Sequence, residues 1–138
     1  MFYLKNAEII PGKSIGVFKL GMSFDDIKRI TKDFEVDERE TCDVLICGDI
    51  SFWVDREKDS CYQILVENDF QGRYDNKIGL GMTLSEINAL GLEWYEDLDA
   101  YFIKDVSGIC FELADAENED DEWDELTTPI TYITVYKD

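Results

Sequence analysis

Apolar positions along this chain change their period twice, and both times at the same short phrase. Leu20-Gly21-Met22-Ser23-Phe24-Asp25-Asp26-Ile27 and Leu80-Gly81-Met82-Thr83-Leu84-Ser85-Glu86-Ile87 each open a stretch in which apolar residues recur every three or four positions. Phe24, Ile27 and Ile30 share one stripe of a helix over about 24–31. Leu84, Ile87 and Leu90 do the same over about 84–90, with Gly91 placed to close the last turn. Ser23 and Thr83 suit the N-cap, because a hydroxyl oxygen there accepts from an orphan backbone N–H. Asp26 and Glu86 stand three residues on, where a carboxylate can reach back. Met22 with Ile27, and Met82 with Ile87, are spaced as hydrophobic staples. Asp25 and Asp26 therefore read as first-turn residues facing the helix dipole, not as catalytic carboxylates. Helices this short are marginal in isolation, so each must lie on a sheet.

After each helix the pattern turns to period two. Asp43-Val44-Leu45-Ile46, Ile50-Ser51-Phe52-Trp53-Val54 and Cys61-Tyr62-Gln63-Ile64-Leu65-Val66 read as strands in the first half. In the second half the strands are Ala100-Tyr101-Phe102-Ile103, Ile109-Cys110-Phe111-Glu112-Leu113 and Ile130-Thr131-Tyr132-Ile133-Thr134-Val135-Tyr136. Short polar links favour antiparallel pairing. The expected fold is α+β, a single domain over 1–138 built of two tandem helix-plus-antiparallel-sheet repeats, about 11–69 and 70–138. Each repeat runs helix, strand, strand, strand, and Phe2-Tyr3-Leu4 is placed to add an edge strand. The halves differ most between their last two strands. A six-residue turn over 55–60 in the first corresponds to an acidic stretch from Ala114 to Leu126 in the second.

Composition narrows the function. With 45% hydrophobic and 13% aromatic residues, the 138-residue chain has enough apolar material for one core. Its formal net charge of −19 repels phosphate backbones and anionic membranes, so neither nucleic acid nor membrane is expected as a direct partner. The same charge draws basic proteins from long range. No histidine is present, which removes Ser-His-Asp and Cys-His catalysis, histidine bases and the usual zinc ligands; no enzyme activity, metal or cofactor is expected. Cys42, Cys47, Cys61 and Cys110 lack CxxC spacing and read as free thiols in or near the core. Gly12-Lys13-Ser14 lacks both the upstream glycine and the following helix of a phosphate loop. The first residues, Met1-Phe2-Tyr3-Leu4-Lys5-Asn6, lack the basic start and long apolar run of a signal peptide, so a cytoplasmic location is expected.

Two acidic-aromatic patches are the candidate partner-binding residues. The first holds Asp115, Glu117, Glu119, Asp120, Asp121, Glu122, Trp123, Asp124 and Glu125. Such a run also reads as a solvated loop that serves solubility; Trp123 in its midst argues for contact, because exposed tryptophan is a common interface anchor. A calcium loop is a third reading, disfavoured because the EF-hand spacing with its central glycine is absent. The second patch holds Tyr95, Asp97, Asp99 and Tyr101, with Glu93 and Glu96 alongside. Trp53 and Trp94 sit in or beside apolar runs and read as core or sheet-face residues.

The doubled Leu-Gly-Met-Ser/Thr helix start, leading into antiparallel strands, resembles the tandem repeats of beta-lactamase inhibitor proteins. It also resembles the small outer-membrane assembly lipoproteins with Gly-Met-Thr, although this chain has no N-terminal lipidation cysteine. Pro11-Gly12-Lys13-Ser14-Ile15-Gly16 before the first Gly-Met, and Phe70-Gln71-Gly72-Arg73-Tyr74-Asp75-Asn76-Lys77-Ile78-Gly79 before the second, are similar to immunity proteins of bacterial polymorphic toxin systems, contact-dependent growth inhibition among them. That resemblance implies a cytosolic protein that binds and neutralises the C-terminal domain of a cognate toxin, commonly a nuclease. The charge agrees with it independently, since a nuclease needs a basic surface. From charge alone, an acidic adaptor or DNA-mimic regulator of a nucleic-acid enzyme is the alternative.

Overall fold

The computed structural model describes residues 7–115 and 123–137. Three two-residue strands, β1 (Ile9–Ile10), β2 (Ser14–Ile15) and β3 (Phe18–Lys19), form a small antiparallel sheet. Helix α1 (Phe24–Thr31) is followed by β4 (Glu35–Glu38), β5 (Cys42–Cys47), β6 (Ile50–Asp55) and β7 (Ser60–Glu67). Helix α2 (Leu84–Ala89) is followed by β8 (Trp94–Asp97), β9 (Ala100–Ile103), β10 (Ile109–Leu113) and β11 (Ile130–Tyr136). The eight long strands make one sheet in the order β4-β5-β6-β7-β11-β10-β9-β8, every neighbouring pair antiparallel. The fold is mixed α+β and mostly antiparallel sheet. No helix among the described residues is long and apolar enough to cross a membrane.

One expectation needs correction: four strands, not three, follow each helix. The additional strands, Glu35-Val36-Asp37-Glu38 and Trp94-Tyr95-Glu96-Asp97, are the two edges of the sheet. An edge strand has a neighbour on one side only, so it needs no apolar alternation, and carboxylates on it discourage pairing with other chains. Phe2-Tyr3-Leu4 lies outside the described residues.

The helix starts are built as their spacing requires. Ser23 Oγ accepts from Asp26 N at 3.1 Å. At α2 the box is complete: Glu86 N donates to Thr83 Oγ1 and Thr83 N donates to Glu86 Oε1, both at 3.2 Å. The shorter side chain of Asp26 instead accepts from Arg29 Nη2 at 3.0 Å, and Asp59, in the turn before β7, accepts from Phe24 N at 3.0 Å. Each Gly-Met segment is stitched to a strand by a reciprocal pair of backbone bonds. Gly21 N donates to Cys61 O and Cys61 N to Met22 O; Gly81 N donates to Ile130 O and Ile130 N to Met82 O.

Register fixes the faces. Leu45, Phe52, Ile64, Val135 and Ile109 lie in one row across five strands, all fully buried. They share one continuous core with Ile27 of α1, Leu84 and Ile87 of α2, and Ile9, Ile15 and Phe18 of the small sheet. Phe18 meets Phe52 at 4.6 Å between ring centroids. Both helices and the small sheet therefore cover the same face of the large sheet, and side chains of the alternate parity point away from this core.

Candidate functional site

On the face that neither the helices nor the small sheet covers, alternate strand positions carry a mixture of apolar, aromatic and charged side chains. One row reads Asp37, Val44, Trp53, Gln63, Tyr136, and the next reads Glu35, Ile46, Ser51, Leu65, Thr134, Cys110. A third reads Glu67, Tyr132, Glu112. With Phe111 opposite Tyr101, alternation puts Phe102 on this face too, where its ring stacks on Tyr95 at 5.2 Å and 14°. Tyr95 and Tyr132 are exposed, and Trp53, Phe102 and Tyr136 are half-buried. The face thus presents aromatic rings among carboxylates.

The two patches anticipated from the sequence meet in part. Asp99, Tyr101, Asp115 and Trp123 line one recess of about 560 Å³ together with Glu112, Leu113 and Ala114. Tyr101 is the residue that ties them: its hydroxyl donates to Glu125 Oε2 at 2.9 Å, and its ring packs edge-on against Trp94 at 5.7 Å. It points to the core side and is only 5% exposed. Burial, followed by the Glu125 carboxylate, pushes its phenol up to about 12, so it stays a donor at neutral pH. Trp123 is 45% exposed and donates from Nε1 to Ala114 O at 2.8 Å, which pins the indole edge and leaves the ring available. Asp115 is exposed. Asp124 works locally, since its carboxylate accepts from Leu126 N and its carbonyl from Thr128 Oγ1. Glu117, Glu119, Asp120, Asp121 and Glu122 lie outside the described residues.

Tyr95 and Asp97 fall elsewhere. They lie on the face turned away from Tyr101, where they line a second recess of about 440 Å³ with Phe102, Asp105, Val106 and Tyr136. Period-two alternation separates Tyr95 from its neighbours in sequence, and the hairpin register puts Tyr101 opposite Glu96. Trp94 is half-buried, with Nε1 donating to Asn88 Oδ1 at 2.8 Å, and Trp53 lies on the uncovered face beneath the Arg39 guanidinium.

Sequence reasoning passed over Tyr132, Phe102 and Tyr136 as contact residues. Their signal was present: large aromatics at the polar parity of strands whose other parity already supplies the core. It passed over Leu98 as well, which is 90% exposed between Asp97 and Asp99 at the β8–β9 turn.

Burial pushes the Cys61 and Cys110 thiols up to about 11 and raises Cys47, the opposite of what a nucleophile needs. Among the described residues no group of three or more acidic or thiol side chains is arranged to hold a metal ion. Among the described residues five ion pairs occupy Arg29, Arg39, Arg56, Lys77 and Lys104 with carboxylates near them, and Glu67, Asp97, Asp99 and Glu112 take part in none of them. No family model, no curated protein and no solved structure matches this chain.

Proposed function

We propose that this chain is a cytoplasmic immunity protein that binds and neutralises the C-terminal domain of a cognate toxin, a basic nuclease, and catalyses no reaction itself. One observation carries the reading: in a chain of net charge −19, exposed aromatic rings stand among carboxylates that form no ion pair among the described residues. Desolvating an unpaired carboxylate against an apolar partner costs free energy, whereas meeting lysine or arginine recovers it. Aromatic rings give such a surface its affinity and the charges give it speed.

The same reading takes the two halves as copies of one unit, a helix followed by four strands. In its favour are the matching backbone bonds around Gly21-Met22 and Gly81-Met82, the burial of Ile27 and Ile87, and the order of the strands. That order runs inward from β4 to β7 and outward from β11 to β8, as two units joined at their last strands would.

The test is co-purification with the toxin-like C-terminal domain encoded by the neighbouring reading frame, followed by a nuclease assay. The expected result is a stoichiometric complex, loss of nuclease activity, and association that slows as salt rises. No complex, or a complex that leaves nuclease activity intact, overturns the proposal; an acidic regulator of a host nucleic-acid enzyme would then be the reading to pursue.

A further inference from the structure

The hairpin of β8 and β9 ends in a two-residue turn, Leu98-Asp99, with φ of 52° and 66°. A turn with two positive φ values calls for asparagine, aspartate or glycine. Leucine there forces a Cβ into the left-handed region and leaves an apolar side chain 90% exposed. Neither feature helps the fold. The other described turns of the large sheet follow the ordinary rule: Arg39-Glu40-Thr41, Gly48-Asp49 and Arg56-Glu57-Lys58-Asp59 are polar, and Val106 in the β9–β10 turn packs back on the core.

The hairpin is also held rigid. Glu96 Oε2 accepts from Asp99 N at 2.9 Å, Tyr95 stacks on Phe102, Trp94 is tied to Asn88, and Lys104 closes the base on Glu93 with a backbone bond of 2.9 Å and an ion pair of 3.1 Å. A strained, exposed leucine at the tip of a braced hairpin carries a conformational cost that its contacts within the described residues do not offset, and such strain gathers at binding and switch sites.

We infer that Leu98 is an apolar anchor that inserts into a socket on a basic partner protein, with Asp97 and Asp99 engaging lysine or arginine side chains at the rim of that socket. Charge complementarity selects this occupant. A second copy of this chain would bring another −19 charges to the contact, and a single leucine buries far too little area to offset that. An anionic membrane is repelled for the same reason. The inference rests on the proposed inhibitor function and names where its grip lies.

The experiment compares wild type, Leu98→Asn, the pair Asp97→Asn with Asp99→Asn, and Glu40→Asn in the β4–β5 turn as control. Each is measured for thermal stability and for binding kinetics to the purified toxin domain. Asparagine tolerates the left-handed conformation, so Leu98→Asn should melt at or above the wild-type temperature while its affinity falls at least tenfold, mainly through faster dissociation. The paired amides should slow association and flatten its salt dependence, and Glu40→Asn should bind as wild type. Wild-type affinity for Leu98→Asn overturns the anchor and leaves the proposed function standing. A lowered melting temperature for that variant makes Leu98 a structural residue and also overturns the anchor. If the wild-type protein does not bind the toxin domain, the proposed function fails and the anchor fails with it.

Discussion

Cys61 sits at 0% exposure beneath the core and Cys110 on the opposite side of the sheet, yet burial moves both thiols the same way, from 9.0 to about 11. In the unfolded chain each gives up its proton near the ordinary value. Between about pH 9 and about pH 11 the folded state therefore holds more protons than the unfolded one, and stability falls as pH rises through that window. Below it the contribution is fully present. Thermal melts across this range should show the decline, and Cys61→Val should flatten it by removing one of the titrating groups without opening a large cavity. A melting temperature independent of pH up to about 11 would show that the thiols are not buried as described. At neutral pH a disulfide-exchange probe should react slowly with the native protein and count four thiols once it is denatured, because none of the four cysteines is in a disulfide and three are buried.

At the scale of elements, the two helix starts and the turns around them carry the local specificity. Thr83→Ala removes the acceptor for Glu86 N and breaks the capping box, for an expected loss of about 1 kcal/mol by chemical denaturation. Asp59→Ala should act similarly on α1 from 35 residues away, through the bond to Phe24 N. Gly108 is stricter: its φ is +86° and an added Cβ would overlap the backbone of Gly12, which donates to Gly108 O at 3.0 Å. Gly108→Ala should cost about 1–3 kcal/mol or more, because two backbones cannot move apart without breaking that bond. The bond joins the small sheet to the β9–β10 turn. Both helices and the six inner strands were legible in the sequence, since caps, staples and alternation are local and one side of each element is buried. The edges β4 and β8 were not, because an edge exposed to water keeps no apolar period. Nor was the recess that gathers Asp99, Tyr101, Asp115 and Trp123, whose positions depend on β9 pairing with β10. Tyr95 and Tyr101, six residues apart, look like one patch until the pleat sends them to opposite faces.

At the scale of the molecule, net charge and the acidic stretch make a claim that rates can separate. If the stretch holding Asp115 and Trp123 meets a basic groove, replacing Glu119, Asp120, Asp121 and Glu122 by their amides removes long-range attraction. Association with the proposed toxin partner should then slow and depend less on salt, while dissociation changes little. Trp123→Ala should do the opposite. Its ring is 45% exposed in the free protein, so burial against a partner has much to gain, and dissociation should quicken by a loss on the order of 2 kcal/mol. Thermal melts should barely move for either variant, because Trp123 is absent from the packed core and its indole makes one hydrogen bond, to Ala114 O. Stopped-flow binding at two ionic strengths measures all four rates. Wild-type values for both variants would make the stretch a solubility device, and the partner would then be held by the Leu98 hairpin and the aromatic sheet face that Tyr95, Phe102 and Tyr132 define.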